Sequence, residues 1–196
     1  MPDHDCQKFG TLIYRIMWRL FLAINLPSEV KQELSKIKEA MRIQMVYSKV
    51  SWVEPENFHV TLHFLVEEKR VLEVILREQL AARSYPEEFF LTLKEVGAFP
   101  HKKQPHTLLV STSLPTQALG LYKRLADVLV GMGLSVDTRP WTPHITLGRV
   151  KVQSEVLQPE KIPWSPLSFS VTSFELMKSK LTPAGSLYET LASFPL

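Results

Sequence analysis

Two short segments of this chain are near copies of one another: Phe58-His59-Val60-Thr61-Leu62 and Pro143-His144-Ile145-Thr146-Leu147. Each alternates apolar and polar residues at period two, the pattern of a half-buried strand rather than of an amphipathic helix. Residues i and i+2 of a strand share a face, so each copy sets one imidazole beside one hydroxyl while Val60 or Ile145 turns into a core. Brought together, two such strands make a polar floor of His59, Thr61, His144 and Thr146.

The surrounding chain supplies helices to cover the other face. Pro27 precedes a segment, Ser28 to Gln44, in which Val30, Leu34, Ile37, Met41 and the following Met45 recur at helical intervals. Glu54-Pro55-Glu56-Asn57 is a turn, and a second helix is expected over Glu67 to Ala82. Strands follow near Phe89 to Val96 and Thr107 to Thr112, then a third helix from about Thr116 to Met132, whose stripe of Leu119, Tyr122, Leu125, Val128 and Leu129 reads as packing. Leu167 to Leu181 and Leu187 to Ala192 are expected to form a closing hairpin around Thr182-Pro183-Ala184-Gly185. With no low-complexity linker, this is an α+β domain over 19–196 with residues 1–18 as an N-terminal extension.

Composition narrows the chemistry. Cys6 is the one cysteine, so neither an intramolecular disulfide nor a Cys-rich metal cluster is available, which fits a reducing cytoplasm. A net charge of +3 admits phosphate ligands without announcing a long nucleic-acid track. No apolar run reaches the roughly 20 residues that a membrane span needs.

Two histidines and two threonines on one floor suit displacement at phosphorus. An imidazole titrates near neutrality, so one ring can take a proton from water while the other gives one to the departing oxygen. The threonine hydroxyls can donate to the non-bridging oxygens as charge builds there.

At these residues the chain resembles the two-histidine phosphoesterase superfamily, and within it the RNA 2′,3′-cyclic phosphodiesterase and 2′,5′-RNA ligase family. Arg19-Leu20-Phe21-Leu22-Ala23-Ile24 is similar to that family's opening strand, Phe58 to Leu65 to its first motif, Thr142 to Arg149 to its second, and Ser179 to Tyr188 to its closing hairpin. The resemblance implies a bilobal α+β fold, two pseudo-symmetric lobes of antiparallel sheet with outer helices around a central cleft. It implies His59 and His144 as catalytic residues, with His144 as base and His59 as acid, and Thr61 and Thr146 on the substrate. It implies hydrolysis of a terminal 2′,3′-cyclic phosphate to a 2′-phosphate without metal or cofactor. The same residues would serve the reverse reaction, which joins RNA through a 2′,5′ linkage. RNA ends or small cyclic nucleotides are the implied partners, with neither a membrane nor an obligate protein partner.

Two further positions enter through the resemblance: Arg149 near the phosphate and Phe64 as an aromatic near the nucleobase. Period-two alternation alone sets each on the face opposite its histidine, unless the strand ends or twists there. His63 shares parity with His59 and reads as an exposed structural histidine able to reach the cleft. His59 and His63 lack a third metal ligand. The basic run His101-Lys102-Lys103, with His106 after it, reads as a solvated turn that could touch RNA backbone, and Trp52, Trp141 and Tyr188 as packing residues that could stack bases. Rival readings are a nucleotide or RNA-end binding module without turnover, and a hydrolase of 2′,5′-oligoadenylate or of an ADP-ribose type of cyclic phosphate.

Overall fold

In the computed structural model the described residues are 18–65, 70–101, 103–182 and 185–196. The first 17 residues, nearly all of the expected extension, lie outside them. So do the first residues of the expected second helix and the middle of the closing turn.

The elements run β1 (Trp18–Asn25), α1 (Ser28–Gln44), β2 (Lys49–Trp52), β3 (His59–Phe64), α2 (Arg70–Ala81), β4 (Phe89–Phe99) and β5 (Thr107–Thr112). Then come α3 (Thr116–Gly131), β6 (His144–Val152), β7 (Ser168–Val171), β8 (Ser173–Thr182) and β9 (Gly185–Pro195). The strands pair antiparallel in the order β7-β4-β5-β6-β3-β1-β8-β9, with β2 added beside β6. The two His-x-Thr strands, β3 and β6, are therefore central neighbours, and each carries its own half of the sheet outward.

One face of this sheet is the main core. Leu20, Leu22 and Ile24 of β1, Val60 and Leu62 of β3, and Ile145 and Leu147 of β6 are buried there with Val30, Leu34, Ile37 and Met41 of α1 and Leu121 and Leu125 of α3. Each such side chain contributes about 1.5–3 kcal/mol on burial. The helices cross the joint: α1 reaches β6 and α3 reaches β3, so the two halves share a core rather than abutting. The opposite face holds a separate cluster of Phe21, Ala23 and Met177 with Tyr188 against it.

The closing segment differs from the hairpin expected. Leu167 to Leu181 is not one strand: β7 pairs with β4 at one end of the sheet, and after Thr172 the chain enters β8, which pairs with β1 and β9 at the other end. Phe169 and Val171 fill the core beneath one half, and Phe174 and Leu176 beneath the other. A continuous apolar alternation conceals this change of partner, because both halves want the same period.

Candidate active site

β3 and β6 meet through the pair Val60↔Ile145, the middle residues of the two repeats. That antiparallel register sets His59 across from Thr146 and His144 across from Thr61, the floor expected from the repeat. All four side chains are part-exposed, on the face away from the helices.

The two rings are held in the same way. Nδ1 of His59 lies 2.7 Å from the Asn57 carbonyl oxygen and Nδ1 of His144 lies 2.8 Å from that of Thr142. A carbonyl only accepts, so each Nδ1 carries the proton and donates it, leaving Nε2 of the neutral ring as the free base. The Thr61 hydroxyl lies 3.1 Å from Nε2 of His59 and donates to it in that tautomer. Neither carbonyl was legible from the motif, although both belong to the residue two before the histidine.

Burial pushes the His59 imidazole down to about 4, against the Asn57 hydrogen bond, with His144, Arg149 and Lys31 adding to the fall. Burial likewise lowers His144, opposed by the Thr142 bond and assisted by Arg149. In the free protein both rings are neutral at pH 7. A phosphate anion between them has the opposite effect and favours an imidazolium.

The positions of Phe64 and Arg149 overturn the parity expectation, for one reason used twice. In the β1–β3 ladder Leu22 pairs with His63 and Ala23 with Thr61, so Leu62 is an extra residue. In the β5–β6 ladder Leu108 pairs with Gly148 and Leu109 with Thr146, so Leu147 is the extra residue. A bulge at the same place in each repeat reverses the alternation beyond it. Phe64, 67% exposed, and Arg149, also exposed, thus join the histidine face. The closeness of Gly148 to β2 belongs to the same bulge, since a Cβ there would lie 2.9 Å from Val50 Cγ1 and 3.0 Å from Trp52 Cε3.

The bulge sends His63 the other way. It is 3% exposed rather than open to the cleft, its Nε2 donates to the Tyr122 carbonyl at 2.8 Å, and its ring stacks on that of Tyr122 at 4.2 Å. Tyr122 stacks in turn on Trp141 at 4.7 Å and 6°. The Trp141 indole N–H donates to the Thr61 carbonyl at 3.0 Å. Trp141 is thus held as a packing residue. It ties the segment before β6 to β3, beside a strand joint whose ladder is the single pair already named. Trp141→Phe keeps the stack and removes the donor, with an expected loss of about 1 kcal/mol in urea unfolding and a fall in turnover larger than any change in KM.

Around His59 stands an aromatic wall. Phe21 lies 5.1 Å from its ring and Tyr188 lies 5.3 Å away, edge-on, with Phe64 at 6.3 Å from Phe21. Trp52 packs against the core instead. Among the described residues no group of three or more His, Cys, Asp or Glu is gathered as metal ligands.

The model of the 2′-5′ RNA ligase superfamily matches residues 26–182. The chain belongs to this superfamily. A relative from Thermotoga maritima, named RNA 2′,3′-cyclic phosphodiesterase, is 32% identical over 177 residues, covering 88% of this chain and 92% of its own. One of the same name from Methanocaldococcus jannaschii is 28% identical over 181 residues, covering 88% of this chain and 98% of its own. The crystal structure of Escherichia coli LigT complexed with 3′-AMP superposes with a TM-score of 0.76 at 26% identity, over 92% of this chain and 98% of that one. No helix among the described residues is long and apolar enough to cross a membrane.

Proposed function

We propose that this member of the 2′-5′ RNA ligase superfamily is a hydrolase that opens a 2′,3′-cyclic phosphate on RNA ends or small cyclic nucleotides, leaving a 2′-phosphate. The observation that carries the reading is the matched pair of imidazoles, each with Nδ1 fixed on a backbone carbonyl and Nε2 left for chemistry on the shared floor. The names of the curated relatives support it.

On this reading Phe64 and Tyr188 take the nucleobase of the terminal nucleoside, with Phe21 buried behind them, because unpaired bases stack on exposed aromatic faces. The ribose of that nucleoside then brings its 3′ oxygen to the His59 side. Water approaches phosphorus in line from the His144 side. Nε2 of His144 takes the proton of water as its oxygen bonds to phosphorus, and Nε2 of His59 gives a proton to the 3′ oxygen as that bond breaks. Thr61, Thr146 and Arg149 donate to the non-bridging oxygens. With a 5′-hydroxyl in place of water, the same groups in the same roles form a 2′,5′ linkage.

The test is turnover of adenosine 2′,3′-cyclic phosphate in the presence of a strong chelator, with the product isomer identified. Adenosine 2′-phosphate is expected as the product, at a rate the chelator leaves unchanged. Formation of the 3′-phosphate, or a loss of turnover that added divalent metal restores, would contradict the reading.

A further inference from the structure

The floor has two ends, and only one has been given a ligand. Beyond His144 the sheet continues in a row formed by Arg149 on β6, Thr107 on β5 and Phe99 on β4, joined by the pairs Thr107↔Arg149 and Phe99↔Thr107. This row corresponds across the central joint to Phe64 and Phe21, which pair on β3 and β1. The Phe99 ring meets His144 edge-on at 5.1 Å and 79°, and the residue is 36% exposed. His59 has its aromatic neighbours on the one side, and His144 has Phe99 on the other. The loop after Phe99 carries exposed His101, Lys103 and His106, and the His106 N–H donates to the Phe99 carbonyl at 2.7 Å, which holds that loop against the strand.

From this arrangement we infer that Phe99 is the platform of a second nucleoside subsite, on the side of the phosphate from which the nucleophile comes. The inference rests on the phosphodiesterase reading and deepens it. With the terminal nucleoside on the His59 side, a hydroxyl that replaces water must arrive beside His144. Its own base then falls toward Phe99. In that step the 5′ oxygen of the incoming nucleoside bonds to phosphorus, His144 takes its proton, the bond from phosphorus to the 3′ oxygen breaks, and His59 protonates that oxygen. No other reactant is needed. The ligand class is therefore a 2′,5′-linked dinucleoside monophosphate spanning both ends of the floor, with Arg149 on the central phosphate.

Two ligands isolate the second nucleoside: 2′,5′-linked adenylyl-adenosine, and adenosine 2′-(methyl phosphate), which has the same charge and lacks that nucleoside. A 3′-O-methyl group on the first ribose of each blocks cleavage, because the attacking hydroxyl is gone. Binding of both is measured by calorimetry in the wild type, Phe99→Ala and Phe99→Trp. Loss of one base stack is expected to weaken the dinucleotide in Phe99→Ala by about tenfold more than the methyl ester. Phe99→Trp is expected to keep the wild-type ratio. Dividing one affinity by the other cancels any disturbance of His144. An unchanged ratio in Phe99→Ala would overturn the subsite, even in a protein that opens adenosine 2′,3′-cyclic phosphate. If the wild type leaves that cyclic phosphate intact, the phosphodiesterase reading falls and the subsite falls with it.

Discussion

His59→Ala and His144→Ala are each expected to lower turnover of adenosine 2′,3′-cyclic phosphate by about 10²- to 10⁴-fold, the range for removal of one placed proton donor or acceptor. Steady-state rates of the purified variants, beside their melting curves, measure this. The double variant is expected to lose far less than the product of the two single losses, because a displacement that has lost its base gains little from a waiting acid. Both rings stand on the cleft face and are part-exposed, so neither replacement opens a hole in the main core formed by Val60, Ile145 and the helices. Wild-type turnover by a folded His144→Ala protein would remove the base from the mechanism.

The next largest effect is expected at Arg149. Arg149→Met keeps an apolar stem of similar reach and removes the charge from the floor. Loss of one preorganised donor to developing charge costs about 10²–10³ in rate. A second readout separates this from mere loss of substrate attraction. Arg149 lowers both histidines, second only to burial among the lowering influences on His144. Its removal therefore raises both ionisations, and both limbs of the pH–rate profile move to higher pH. A rate loss with unmoved limbs would place Arg149 away from the histidine pair.

Much of this site was legible in the sequence, and the parts that were not share a cause. The helix Ser28–Gln44 and the strand Thr107–Thr112 are where the local patterns put them, because each is fixed by its own periodicity. The His-x-Thr repeat was legible for the same reason. The bulges were not, since an extra residue in a ladder is defined against a partner strand far away in sequence. Leu62-His63 and Leu147-Gly148 simply read as the next step of an alternation. That one missing fact misplaced Phe64, Arg149 and His63 together. Trp141 escaped for a similar reason: its partner, the Thr61 carbonyl, belongs to a different strand, and nothing local distinguishes a tie from a packing ring. Tyr188 reads from the sequence as a packing residue able to stack a base, and its contacts with His59 and Phe21 put it on the histidine face.

The pH dependence of kcat/KM, compared among the wild type, His59→Ala and His144→Ala, tests the paired mechanism most directly. The reacting form of the free protein has one ring as imidazolium and the other neutral, so activity rises with pH as the first of the two Nε2 protons leaves and falls as the second does. Burial lowers both rings from the ordinary value of 6.5, His59 to about 4. The account therefore predicts a bell whose two limbs both lie on the acid side of about 6.5, with activity decreasing through neutral pH, and with one limb lost in each single variant. A profile that peaks above neutrality, or one whose two limbs survive unchanged in both variants, would contradict it.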